Sequence, residues 1–136
     1  MKQIISPSGP LKGIIEMPGD KSISHRYAML ASVAGGESVI SNYSSGADCH
    51  STLGCLRTLG VEVTIDGREV RIVGRGLNGY AAPGCDLDAG NSGSTIRMLS
   101  GLLAGQGFKC RLTGDESLSK RPMQRIMTPL AQMGAR

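Results

Sequence analysis

The 136-residue sequence predicts a mixed α/β (α+β) fold of β-α-β-α-β-β units, one complete and most of a second. Three observations predict it. Two stretches that open apolar helices, Gly19 to Arg26 and Gly90 to Arg97, each run eight residues from glycine to arginine and stand 71 positions apart. Between them, Val61 to Ile65 and Val70 to Ile72 alternate apolar and polar residues around the hairpin signal Asp66-Gly67. The order of elements then begins again, which is how a repeated structural unit shows itself in a sequence.

Taken in order, Gln3-Ile4-Ile5 is strand-like and closes at Pro7 and Pro10, and Leu11 to Met17 can form a strand that ends at Pro18-Gly19. Ser24 is the expected N-cap of a helix of about ten residues, with Tyr27, Ala28, Leu30, Ala31 and Ala34 on its apolar face and Gly35-Gly36 as its stop. Ser38-Val39-Ile40 reads as a strand. Ser44-Ser45-Gly46 leads into a second helix, where Cys49, Thr52, Leu53, Leu56 and Leu59 recur at helical spacing before Gly60. After the hairpin, Asp86-Leu87-Asp88 and Phe108 to Leu112 read as strands on either side of a helix from Gly90 to Gly105. The last helix carries Met123, Ile126, Met127, Leu130 and Met133 on one face; Pro122 suits its first turn, whereas Pro129 predicts a kink or restart near Thr128.

Composition narrows the function. The net charge of +4 is modest and the basic residues form no tract, so small acidic ligands suit the chain better than nucleic acid. Four cysteines, Cys49, Cys55, Cys85 and Cys110, show neither a C-x-x-C pair nor metal-type spacing with the two histidines, and are expected to be buried free thiols in a reducing compartment. No apolar run is long enough to span a membrane and no Arg-rich leader is present, so a soluble cytoplasmic protein is expected.

The chemistry concentrates at three stretches. In Gly19-Asp20-Lys21-Ser22-Ile23-Ser24-His25-Arg26 a glycine frees the backbone, a helix start offers N–H groups, and Lys21 and Arg26 add full charges. Arg26 can grip an oxyanion with two parallel hydrogen bonds, whereas Lys21 acts as a point charge. A nucleotide P-loop is excluded by spacing, since Asp20 separates Gly19 from Lys21. Gly90-Asn91-Ser92-Gly93-Ser94-Thr95-Ile96-Arg97 offers a second oxyanion cradle, with Asn91, Ser94 and Arg97 in reach. Ser117-Leu118-Ser119-Lys120-Arg121-Pro122-Met123 sets two more cations at a third helix start. Each stretch alone also reads as an ordinary helix entry with solvated charges. Asp48, His25 and His50 are read as structural, Asp48 as a stabiliser of a helix start.

In order and spacing these three stretches resemble the enolpyruvyl transferase family, over essentially the whole chain. Within that family they are closer to the members that act on shikimate 3-phosphate than to those acting on UDP-N-acetylglucosamine, which typically carry Lys-Asn where this chain has Lys21-Ser22. The resemblance implies transfer of the enolpyruvyl group of phosphoenolpyruvate to the 5-hydroxyl of shikimate 3-phosphate, with release of phosphate, in aromatic amino acid biosynthesis, and it implies no metal or organic cofactor. It implies that Lys21, Ser22 and Arg26 contact shikimate 3-phosphate; that Lys21, Gly93 and Arg121 contact phosphoenolpyruvate, Lys21 being catalytic; that Asn91, Ser94 and Arg97 line the same region; and that glyphosate is an inhibitor.

Family members are much longer, with two domains of three such units each. The expectation is therefore a partial enzyme, inactive alone, whose partner is the C-terminal part of the same enzyme. Residues 1–18 are expected to pack with that missing domain, 19–75 to form the first unit and 84–136 a truncated second. A non-catalytic phosphate-binding module is the alternative.

Overall fold

A computed structural model describes residues 2–135; Met1 and Arg136, the outermost residues of the first and last expected segments, lie outside the described residues. Helix α1 spans Lys21–Val33, β1 Gly35–Ile40, α2 Ala47–Thr58, β2 Glu62–Asp66 and β3 Glu69–Arg75. Then follow β4 Leu87–Asp88, α3 Gly93–Leu103, β5 Leu112–Thr113, α4 Glu116–Ser119 and α5 Gln124–Gln132. Helices and strands are interspersed along the chain, which makes it a mixed α/β fold. No described helix is long and apolar enough to cross a membrane.

The three long strands form an antiparallel sheet in the order β1-β3-β2, with Val63 opposite Ile72 and Ile40 opposite Val70. Its buried face carries Val63, Val70 and Ile72 against Leu53, Leu56 and Leu59 of the α2 region and Ala28 and Ala31 of α1. Turn Asp66-Gly67 closes the β2–β3 hairpin with Gly67 at φ 55°, a left-handed conformation that glycine adopts without steric cost. Gly74 is small for another reason: a Cβ there would collide with the carbonyls of Ala31 and Ala34, so α1 lies directly on β3. The β4–β5 pair is parallel, Leu87 facing Leu112, and α3 packs beside α2.

Several expectations are corrected. The strands expected at residues 3–5 and 11–17 are absent: residues 2–20 hold no regular element, and Ile4, Ile5, Leu11, Ile14, Ile15 and Met17 are exposed. A strand needs a neighbour for its N–H and C=O groups, and no described sheet edge pairs with this segment. Thus the first strand of the expected unit is missing. Helix α1 begins four residues earlier than expected, because the Asp20 carboxylate accepts the Ile23 N–H (2.7 Å) and caps it. Ser24 falls inside the helix, donating to the Asp20 carbonyl (2.7 Å) and accepting the Ser44 N–H (3.0 Å). The buried face of α1 accordingly runs through Ser24, His25, Ala28, Met29, Ala31 and Ser32, while Tyr27 and Leu30 are 56% and 62% exposed.

Farther along, the strand expected from Phe108 is reduced to Leu112–Thr113, which pairs with β4. Helix α5 is uninterrupted across Pro129. The missing N–H there frees one carbonyl, that of Arg125, which is exposed and open to water. Only Cys49 and Cys55 are buried; Cys85 and Cys110, each two residues before β4 or β5, are exposed. Burial raises the Cys55 thiol to about 11 and also raises Cys49, which keeps both as thiols, donating to the carbonyls of Asp88 and Lys21.

Candidate active site

The first turns of α1 and α3 open onto one cleft of about 350 Å³. Lys21, Ser22 and Arg26 line it from α1, Gly93, Ser94, Arg97 and Met98 from α3, Asp48 from the first turn of α2, and Arg121 from the segment after α4. Four cations face one carboxylate across this space, so its field favours anions.

Local folding places each group. Asp20 caps α1, and this leaves the next residues free to present Lys21 and Ser22 outward. Gly19 allows the turn before it, since a Cβ there would overlap the Asn42 carbonyl. Ser92 caps α3 by accepting the Thr95 N–H (3.1 Å). The two arginines behave alike: Arg26 Nη1 donates to the Ser22 carbonyl (3.0 Å) and Arg97 Nη1 to the Gly93 carbonyl (3.3 Å), each folding back one helical turn. A Cβ on Gly93 would stand 2.5 Å from Arg97 Nη1 and 3.1 Å from Arg121 Nη1, so the bare backbone is what lets two guanidiniums share this corner.

Arg121 is held from outside the cleft. Its Nη2 donates to Asn91 Oδ1 (2.8 Å), and Asn91 Nδ2 donates to the Asp115 carboxylate (2.5 Å), which also caps α4 through the Leu118 N–H (2.7 Å). The hydrogen bond from Asn91, with that from Leu118, holds the Asp115 carboxyl below its usual range and thus ionised.

Seven of the eight residues singled out in the sequence therefore line one cleft, and the eighth, Asn91, stands behind it as the support of Arg121. The third helix start is corrected: Lys120 is the C-cap of α4 and pairs with Glu116 (2.5 Å), so it takes no part in the cleft, and Arg121 follows it in a connecting turn. Sequence reasoning missed two wall residues. Asp48 forms an ion pair with Lys21, and Met98 supplies an apolar patch. Only the packing of α2 beside α1 reveals the first, because a carboxylate in a first helical turn already has a local explanation.

The wall offers oriented N–H groups and cations to a ligand with two or more anionic groups. It offers no paired acid and base, Asp48 being engaged by Lys21.

Comparison with known proteins agrees with this picture. Residues 5–136 match the family described as EPSP synthase (3-phosphoshikimate 1-carboxyvinyltransferase). The 3-phosphoshikimate 1-carboxyvinyltransferase of Solibacter usitatus is 67% identical over 135 residues, covering 99% of this chain and 32% of that protein. Its counterpart in Herpetosiphon aurantiacus is 51% identical over 136 residues, with 32% of its length covered. The solved EPSP synthase of Acinetobacter baumannii superposes with a TM-score of 0.87 at 45% identity, over 91% of this chain and 28% of that one. The chain thus spans about a third of the length of these relatives. The cleft, the motifs that build it and the match over nearly every residue agree, and the chain belongs to the EPSP synthase family.

Proposed function

We propose that this chain supplies the cationic wall of an active site that transfers the enolpyruvyl group of phosphoenolpyruvate to the 5-hydroxyl of shikimate 3-phosphate. The observation that carries the reading is the convergence of Lys21, Arg26, Arg97 and Arg121, from three separate segments, on one cleft. Both substrates are polyanions, and only such a wall can hold them side by side against their repulsion. In the reaction the methylene carbon of phosphoenolpyruvate gains a proton and the 5-hydroxyl adds to the neighbouring carbon. The tetrahedral adduct then expels phosphate and a methyl proton. No cofactor is required. Lys21 faces both substrates, Ser22 and Arg26 take the shikimate phosphate, and Gly93 and Arg121 take phosphoenolpyruvate. Ser94 and Arg97 complete the wall, with Asn91 steadying Arg121.

The relatives are about three times as long as the matched region, and their remaining parts are proposed to build the opposite wall with its acid and base. The exposed apolar side chains of residues 2–18 support packing of this segment against those parts. Residues 19–75 and 84–136 are proposed to be two copies of one unit, supported by the matching octapeptides that open α1 and α3. The four free thiols support a cytoplasmic location.

The test is a chimera in which this chain replaces the matched 135 residues of the Solibacter relative, with phosphate release followed in the presence of both substrates. Turnover by the chimera and none by the chain alone is expected. Lys21→Ala should cost the chimera about 10- to 100-fold in kcat/KM, because a charge-assisted bond contributes ~1.5–3 kcal/mol. The same change should alter stability by less than ~1 kcal/mol. A folded, inactive chimera, or one indifferent to Lys21→Ala, would overturn the proposal.

A further inference from the structure

We propose that Thr52 is a positioning residue: through a buried chain of hydrogen bonds, His25–Thr52–Thr95–Ser92, it keeps the starts of α1 and α3 aligned on one bound anion. The inference rests on the anion-binding reading of the cleft and adds a part to it. His25 Nδ1 lies 2.7 Å from Thr52 Oγ1, Thr52 Oγ1 lies 2.7 Å from Thr95 Oγ1, and Thr95 Oγ1 lies 2.7 Å from Ser92 Oγ. All four residues are 0% exposed. Among the described residues no hydrogen bond joins α1 directly to α3, so this chain through α2 is the polar link between them.

Each member stands just behind a residue of the cleft. His25 is one turn beyond Lys21 and precedes Arg26, Thr52 is one turn beyond Asp48, and Ser92 and Thr95 flank Gly93 and Ser94. Ser92 is also the cap of α3, so the far end of the chain is the group that orders that helix's first N–H groups. Donor counting sets the direction of the bonds. Each hydroxyl has one hydrogen, and His25 Nε2 has no partner. If Nδ1–H donates to Thr52, Thr52 to Thr95 and Thr95 to Ser92, the His25 N–H and both threonine hydroxyls have acceptors and Nε2 is left as a bare lone pair. The reverse order would strand a buried N–H. In the favoured order Thr52 is the one residue that both accepts from α1 and donates to α3.

Such a strut matters because an anion gripped from two helices is held well only when both sets of donors point at it together, and small misplacements are costly. Short hydroxyl contacts at three successive steps fix the spacing more tightly than apolar packing, which tolerates sliding. Replacing the Thr52 hydroxyl by a methyl leaves volume almost unchanged but strands the His25 N–H and removes the hydroxyl that donates to Thr95.

The experiment titrates the chain with inorganic phosphate and follows backbone amide NMR signals near Ser22 and near Ser94. In the unaltered chain both groups should shift along one binding curve. Thr52→Val should weaken binding at least tenfold or split the two groups onto separate curves, while Thr52→Ser should restore one curve within about threefold of the original affinity. Ile72→Val, a core change in β3 remote from the chain of hydroxyls, should leave the curve unaltered. A folded Thr52→Val that binds on the original single curve overturns the proposal. Thr52→Cys keeps the volume with a weak donor and decides the matter if Thr52→Val does not fold, since unaltered binding by it is equally fatal. Failure of the unaltered chain to bind phosphate would overturn the anion-site reading and this inference with it; normal binding with an indifferent Thr52 overturns the inference alone.

Discussion

Lys21 and Asp48 form an ion pair across the first turns of α1 and α2, at the edge of the cleft that three arginines also face. The ammonium is about half exposed and the carboxylate about a quarter, so solvent screens the pair and its contribution to stability is at most about 1 kcal/mol. Its effect on ligands is larger in proportion, because an incoming anion must share Lys21 with a fixed carboxylate. Asp48→Asn should therefore bind inorganic phosphate about three- to tenfold more tightly at low salt, the gain shrinking as ionic strength rises. Calorimetric titration at two salt concentrations checks this; weaker binding would mean that Asp48 holds Lys21 in place for the anion.

Gly93→Ala should separate ligand binding from folding. The added methyl would meet the ends of Arg97 and Arg121 at 2.5 and 3.1 Å, and both guanidiniums must shift from their places beside it. At a helix start the change costs little, and Ala exceeds Gly in helix propensity by up to about 1 kcal/mol. We expect unchanged or slightly higher stability with phosphate affinity lowered about tenfold, read from thermal melts and titrations on the same samples. In the chimera the longer inhibitor glyphosate should lose more affinity than phosphoenolpyruvate, since the added methyl narrows the site.

The helices were legible because their burial is local. Leu53, Leu56 and Leu59 repeat at helical spacing and are all buried against the sheet, and Asp66-Gly67 marks a hairpin by backbone geometry alone. The cleft was legible because two octapeptides with the same ends open two helices. What failed depended on partners far away in sequence or on rival caps. Leu11 to Met17 has the residues of a strand but no described edge to pair with. Asp20 and Ser24 are both good caps, and Asp20 takes the role while the Ser24 hydroxyl, one turn in, donates to the Asp20 carbonyl and accepts the distant Ser44 N–H. Lys120 and Arg121 look equivalent in sequence, yet Glu116 takes the first and Asn91 the second.

Gly74→Ala tests the contact that orients α1. The new Cβ would press on the carbonyls of Ala31 and Ala34, which are backbone atoms in the last turn and cap of α1 and cannot swing aside. Overpacking of this kind costs about 1–3 kcal/mol, and here the upper end is expected. Urea denaturation measures it. Because the displaced element carries Lys21 and Arg26, phosphate binding should weaken in the fraction that remains folded. A Gly74→Ala chain of unaltered stability would show that α1 rides on β3 more loosely than the close approach indicates.

His25 should give the chain a recognisable acid sensitivity. Its imidazole is buried and lies near Lys21, and these two effects, burial first, lower its pKa from the ordinary 6.5; Arg26 adds in the same direction and Asp48 opposes. The unprotonated ring is the form the fold accepts, since Nε2 has no partner to receive a proton's hydrogen bond. The sign follows from proton counting. Between the lowered folded value and 6.5 the unfolded chain binds more protons than the folded one, so stability rises with pH there. Acidification through 6.5 therefore weakens the fold, by no more than about 1.4 kcal/mol for each pH unit, and the loss levels off once the folded imidazole is itself protonated. Carboxylates titrate at lower pH and act in both forms of the chain, so the comparison is with His25→Asn, which lacks the titrating group. Urea midpoints at about pH 7.5 and pH 5.5 should fall more steeply for the unaltered chain than for His25→Asn. Equal falls would mean that folding does not lower the His25 pKa, and that the protonated ring finds an acceptor for its Nε2–H in the folded chain, since Nδ1–H donates to Thr52 in either form.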